Sequence, residues 1–343
     1  MPKVRRCQTY LRSMWRMRWR ILARNGLLIV LALCAVCASV EYALERRDAA
    51  RLTANDSFYA VGGRHIRYHL TSQGSQGPTI VLVNGLTASL EQWSSVQTAL
   101  GATSPVLTYD RGGSGFSDPA DAHDAVADAD ELNQILHSPG IVTPVVLVSY
   151  SSSAMMAVVF AARYPEAVEG MVFVDPTMRS QVPGTKTYRR IYLRPSLLSP
   201  LEAFFGFTRL KFAIARRDAL SRSAAAERTD AILVSTHHWL ASAHEAMNLD
   251  KSADEADAAQ AARSLAGLPV GVVTTLDPTE SEGARDFHDR QTALAAKSKR
   301  GILRTLHIDH SVLLKDPVAV GSIVDLIRLI TNEARASSVT DLN

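Results

Sequence analysis

A chain of 343 residues with 47% hydrophobic side chains is long enough to bury one or two large cores. Its net charge of +3 conceals an asymmetry: residues 1–24 hold eight bases and no acid, and the remainder holds 29 bases against 34 acids, a net −5. A mildly acidic body gives no footing for nucleic acid, and because Cys7, Cys34 and Cys37 all precede residue 45, the body excludes disulfides, a cysteine nucleophile and thiolate metal sites.

The basic tail, residues 1–25, abuts "GLLIVLALCAVCASVEYAL" at 26–44. Gly26 to Val40 is uncharged, 15 residues against the roughly 20 that cross a bilayer comfortably. Positive charge ahead of the run favours a cytoplasmic N-terminus. The segment reads as an uncleaved signal-anchor, a single-pass transmembrane helix, with a cleaved signal peptide as the alternative. Either sends the body to the far side of the membrane. Residues 45–56 are polar and charged and read as a linker.

From about Ser57 short apolar runs alternate with helical patterns. Strands are expected at 64–70, 78–85, 104–110, 143–149, 167–175, 268–275 and 300–308, and helices at 121–137, 152–163, 285–298 and 317–332. Continuous apolar runs are strands buried on both faces. The fold class is therefore α/β, a doubly wound and mostly parallel sheet. Residues 177–266 carry helical patterns and no convincing strand. They read as an all-helical cap between two core parts, 57–176 and 267–332, lying over the carboxyl ends of the strands, where ligands bind in such folds. Residues 333–343 read as a C-terminal tail.

The stretch "VVLVSYSSSAMMAVVFAARYP" (145–165) runs from strand into helix through four serines. A nucleophile on such a tight turn needs small residues two positions before and after it, usually as G-x-S-x-G. Ser149 has Leu147 before it, Ser152 has Tyr150, and Ser153 has Met155 after it; Ser151 alone is flanked by small residues, Ser149 and Ser153. The motif is S-x-S-x-S, and the competing reading is a serine cluster that caps the helix.

With "VLVNGLTASLEQW", "VLTYDRGGSGFSDP", "VLVSYSSSAMMAVVFAARYPEAVEGMVFVDP", "LPVGVVTTLDP" and "LHIDHSVLLKDPVAV" in this order, the chain resembles the α/β-hydrolase family with a helical cap over roughly residues 57–332. The resemblance implies a Ser–acid–His order along the chain. His310, in the loop before the last helix, matches the general base; His307 falls in the strand and reads as a packed or edge histidine. Asp277, after the penultimate strand, is the favoured acid, with Asp175, Glu280 and Glu282 as alternatives. Backbone amides of Leu86 and Ser152 match the oxyanion donors, although Asn84-Gly85 stands where the family usually has His-Gly.

Three further segments read as structure. "RGGSGFSDP" (111–119) lacks the Lys-Ser/Thr ending of a phosphate loop and reads as a turn packed beside the elbow. His237, His238 and His244 read as exposed or pocket-wall residues and not as metal ligands. Phe204, Phe205, Phe207 and Phe212, interleaved with Arg209, Lys211, Arg216 and Arg217, read as an amphipathic helix with a solvated basic face; an apolar lid, or a surface resting on lipid, is the alternative.

The resemblance thus implies a membrane-tethered serine hydrolase acting on a small-molecule acyl substrate, by default a carboxylic ester, with no metal and no cofactor. Amidase, C–C hydrolase and cofactor-free haloperoxidase chemistry use a similar triad. Haloalkane dehalogenases and epoxide hydrolases carry an aspartate where Ser151 stands. A catalytically silent binding protein of the same fold is the reading from a different class.

Overall fold

A computed structural model describes residues 2–71, 77–178, 193–215, 223–276 and 282–340, with side chains from residue 15 onward except 282–287 and 337–340. Eight strands form one sheet: β1 (Ser57–Val61), β2 (Arg64–Thr71), β3 (Ile80–Val83), β4 (Val106–Tyr109), β5 (Val145–Tyr150), β6 (Val168–Val174), β7 (Pro269–Thr275) and β8 (Arg300–Leu306). Their order is β1-β2-β4-β3-β5-β6-β7-β8, with β1 and β2 antiparallel and every pair from β4 onward parallel. The central strands β3 to β6 are apolar and almost wholly buried, as strands covered on both faces must be. β8 alternates half-buried and exposed residues, as an edge strand does.

Strand β1 was not expected. Its signal was present: Gly62 and Gly63 both have positive φ (+56° and +78°) and join Val61 to its partner Arg64 in a two-residue hairpin turn.

One face of the sheet is covered by α3 (Ala125–Leu136) and α4 (Ser153–Arg163), the other by α2 (Ser94–Gly101) and α10 (Pro317–Thr340). Between β6 and β7 the described chain is helical: α5 (Arg194–Phe204), α6 (Phe207–Ala215), α7 (Ala224–Leu233) and α8 (Thr236–Ala262). The 27-residue α8 packs along α3 and α4. There Ser252 and Glu255 accept the first amides of α3, from Ala125 (3.1 Å) and Val126 (3.0 Å). After β7, α9 (Glu282–Ala295) packs on β7 and β8.

The N-terminus is one helix, α1 (Pro2–Leu52), long and apolar enough over Trp15–Leu52 to cross a membrane. The expected linker from residue 45 is helical as far as Leu52, and ion pairs are the physical reason. Arg51 bonds Glu227 at 2.7 Å, Asp48 bonds Arg209 at 2.7 Å, and Glu45 accepts the Thr236 amide at the start of α8. The expected tail from residue 333 is likewise helical: α10 continues to Thr340, with Ala334 buried against the sheet.

Candidate functional site

Strand β5 ends at Tyr150, α4 begins at Ser153, and Ser151 sits between them with φ of +56°. Positive φ is uncommon outside glycine and is strained for a side chain held there. Two further non-glycine residues share it, Thr87 (+60°) after β3 and Asp175 (+44°) after β6, so all three described cases lie at the carboxyl ends of adjacent strands. Backbone bonds hold the elbow. The Ser151 amide donates to Val174 O (3.0 Å), and Ser151 O accepts from the Thr177 amide (2.9 Å).

The other serines divide the work. Ser152 is the N-cap of α4 but makes no side-chain cap bond, so simple capping does not account for the cluster. Its hydroxyl donates to Glu245 Oε1 at 3.1 Å. Ser153 accepts the Tyr150 amide at 3.0 Å and lies within bonding distance of Val83 O and Tyr150 O, which ties the turn to β3. The buried Ser149 hydroxyl has no partner among the described residues.

Gly85 explains why the loop after β3 can lie against this turn. A Cβ there would stand 3.1 Å from both Ser151 Cβ and Tyr150 O, a tighter approach than side chains make. The approach brings the Leu86 amide beside the elbow. Among the described residues no carbonyl accepts from the amides of Leu86 or Ser152, leaving both free to donate to a ligand. Asn84 is buried and bonds Tyr109 O through Nδ2 at 3.0 Å, so it braces the ends of β3 and β4.

Past β8, His310 Nδ1 lies 2.5 Å from Asp175 Oδ2. Asp175 is fully buried, and its carboxylate also accepts from Thr275 N (3.2 Å), Thr275 Oγ1 (3.0 Å) and Gln291 Nε2 (2.9 Å). A carboxylate at Nδ1 keeps the proton on that nitrogen and leaves the Nε2 lone pair available as a base. The imidazole stacks on Tyr150 with centroids 4.8 Å apart, and the Tyr150 hydroxyl donates to His310 O at 2.6 Å. Asp277, the acid favoured from the sequence, lies outside the described residues, as does Glu280; Glu282 opens α9, its side chain undescribed. Among the described residues, the histidine's carboxylate is Asp175. A strand that ends in a buried aspartate already carries that signal, in "VFVDP".

The serine hydroxyl itself faces Thr177 Oγ1 at 3.4 Å. Thr177, Gln291 and Thr275 carried no sequence signal, since bonding partners of an acid are set by the sheet and not by a motif. His307 lies exposed, one residue past β8.

A buried ionic cluster supports the two loops. Arg111, 3% exposed, bonds Gly85 O (3.2 Å), Asp128 (3.3 Å) and Glu245 Oε2 (2.7 Å). Burial, aided by Glu245 and Glu131, raises the Asp128 carboxyl to about 8 against the pull of Arg111. Asp110 fixes the neighbouring turn, accepting from Leu90 N (2.8 Å), Phe116 N (3.1 Å) and Arg67 (3.1 Å). At Gly115 (φ +56°) a Cβ would collide with that carboxylate at 2.1 Å. "RGGSGFSDP" is thus a turn stapled beside the site.

Of the α8 histidines, expected to be exposed or pocket-wall residues, His244 is exposed, His237 is half-buried and His238 is wholly buried. His238 is fully buried, accepts the Gly115 amide at Nδ1 (3.1 Å) and meets Thr87 O with Nε2 (3.3 Å). Burial lowers its pKa to about 3 and keeps it neutral. His237 Nε2 bonds Gly115 O at 2.9 Å. Among the described residues no cluster of metal-ligand type forms.

A family model described as alpha/beta hydrolase fold matches residues 78–241. Over 135 residues the chain is 31% identical to the sn-1-specific diacylglycerol lipase ABHD11 of Xenopus tropicalis, a match covering 39% of this chain and 42% of that one. The chain spans about two-fifths of the length of the first curated relatives it matches. Among solved structures, an esterase from Thermogutta terrifontis superposes with a TM-score of 0.59 at 16% identity, covering 81% of this chain and 99% of that one. An enol-lactonase from Burkholderia xenovorans LB400 does so with a TM-score of 0.55 at 16% identity, over 79% and 100%.

Proposed function

From the α/β-hydrolase fold, matched over residues 78–241, we propose that this chain is a serine hydrolase that cleaves an acyl bond, a carboxylic ester by preference, through Ser151, His310 and Asp175. The observation that supports this reading most is the buried Asp175 at His310 Nδ1, on the loop whose Thr177 touches Ser151. In the reaction His310 Nε2 takes the proton of Ser151 as Oγ attacks the acyl carbonyl. The amides of Leu86 and Ser152 receive the charge that develops on the carbonyl oxygen. Collapse of the tetrahedral species expels the alcohol, which leaves with the proton from His310. Water, deprotonated by the same histidine, then releases the acid from the acyl-enzyme and restores Ser151.

The named relatives are a lipase, an esterase and a lactonase, which all break acyl–oxygen bonds and favour the ester reading. Helix α1 is read as a membrane anchor with its basic end in the cytoplasm and the body on the far side. The test is hydrolysis of a series of p-nitrophenyl acyl esters by the full chain in detergent. A burst of nitrophenol equal to the enzyme concentration, abolished in Ser151→Ala, supports the reading; equal turnover by Ser151→Ala contradicts it.

A further inference from the structure

Helices α5 and α6 were expected to hold their bases in water. The structure keeps Lys211 exposed but turns Arg209 inward, and Arg216 and Arg217 lie outside the described residues. Arg209 turns toward α1, with Nε 2.8 Å from Glu41 and Nη1 2.7 Å from Asp48, two turns apart on one face. Lys211 is paired with Glu202 at 2.8 Å. The outward side is apolar: Leu197, Leu201 and Phe204 along α5, then Phe207, Leu210 and Ile214 along α6, are 43–66% exposed at helical spacing. Two consecutive helices that each expose large apolar side chains at helical spacing are not an ordinary solvated surface.

Where this stripe sits follows from α1. Glu41, buried at 3% exposure, is the first charge after the uncharged run from Gly26 to Val40. The turn between α5 and α6 lies against it: a Cβ on Gly206 (φ +74°) would meet Glu41 Oε2 at 3.2 Å. The face of α1 that the body covers does not stop at Glu41. Cys34 and Ala38, inside the uncharged run, are half-buried, while Leu33, Val36 and Val40 around them are exposed. Cys34 and Ala38 fall at three- and four-residue spacing from Glu41, Glu45 and Asp48, so the face that carries the body's bonds continues into the uncharged run. Fifteen residues of helix rise about 22 Å, short of the roughly 30 Å of bilayer hydrocarbon. A short span draws the membrane surface toward the body.

We propose that the α5–α6 hairpin is seated in the interfacial layer of the same bilayer that α1 enters, its apolar stripe among the acyl chains and Arg209 clamping it to the anchor. The proposal rests on reading α1 as a membrane anchor. It makes the helical insertion a monotopic element, with the depth of an interfacial amphipathic helix.

The test uses the full chain in lipid nanodiscs, with Cys7, Cys34 and Cys37 replaced by serine and single spin labels introduced through Leu201→Cys, Leu210→Cys, Val30→Cys and Glu166→Cys. All four sites are exposed, so the labels leave the core intact. Collision with oxygen, which partitions into lipid, is compared with collision with a water-soluble nickel chelate. The result expected is loss of nickel collision at 201 and 210, as at 30, with 166 fully accessible to nickel. Nickel access at 201 and 210 equal to that at 166, while 30 remains shielded, overturns the hairpin proposal and leaves the anchor standing. Nickel access at 30 as well overturns both.

Discussion

Asp175 Oδ2 stands 2.5 Å from His310 Nδ1, although the two residues are 135 positions apart in the sequence. The contact exists because β6 delivers the aspartate at its carboxyl end while the loop after β8 returns the histidine over it. Asp175→Asn can no longer fix the imidazole in the tautomer that leaves Nε2 basic. We expect kcat to fall by about 10⁴-fold, with Asp277→Asn close to wild type. Steady-state kinetics on one ester with both variants decides; the reverse ranking would return the acid to the loop after β7.

Glu245, in the helical insertion, is tied to both loops that carry the proposed oxyanion donors. One oxygen accepts from Ser152 Oγ at 3.1 Å and the other from Arg111, which bonds Gly85 O. Removing it strands a buried guanidinium with Asp128 alone. Glu245→Ala should lose about 3 kcal/mol of stability, and kcat should fall more than KM rises. Thermal melting and kinetics read the two effects separately.

Two buried groups set opposite acid and alkaline limits on stability. Burial lowers His238 from 6.5 to about 3. Below about 6.5 the unfolded chain takes up a proton that the folded chain refuses, so stability falls as pH drops through this window, by up to about 1.4 kcal/mol per pH unit. Asp128 is raised from 3.8 to about 8, and the folded chain keeps a proton there that the unfolded chain has released. Its contribution falls as pH rises from about 4 to 8. Among the described groups Asp128 is the one whose shifted window spans pH 6.5 to 8, so Asp128→Asn should flatten the decline in melting temperature over that range, and His238→Asn should flatten the decline on the acid side below pH 4.

Gly85 is the point where the loop after β3 passes Ser151. A methyl group there meets Ser151 Cβ and the Tyr150 carbonyl at 3.1 Å, and backbone must shift by a few tenths of an ångström to admit it. Gly85→Ala should cost on the order of tenfold in kcat, ~1.4 kcal/mol, as the Leu86 donor is displaced. An unchanged kcat would place that donor elsewhere.

Much of this was written locally in the chain. The buried runs of β3 to β7 declare a parallel sheet, and the small residues around Ser151 single it out from three neighbouring serines. The acid was harder, because Asp175 and Asp277 both follow an apolar strand and end in Asp-Pro. Only strand order separates them, and no short motif encodes it. The linker was misread for a related reason. "ERRDAARL" is polar as a string, but Asp48 and Arg51 have partners more than 150 residues away, and those ion pairs hold it helical. His238 reads as an exposed or pocket-wall residue like its neighbours, and its bonds to Gly115 and Thr87, which no local pattern announces, bury it completely. On α6, alternating phenylalanines and bases specify an amphipathic helix but not which side meets water. Glu41 and Asp48 decide that by taking Arg209 inward.

The proposed reaction requires Ser151 to be an activated nucleophile. The most direct measurement is mass spectrometry of the full chain after reaction with a fluorophosphonate, beside Ser151→Ala and His310→Ala. One phosphonyl adduct is expected on the wild type, mapped to Ser151, and none on either variant. An adduct retained in Ser151→Ala, or a folded wild type that takes up no probe, would contradict the proposed reaction.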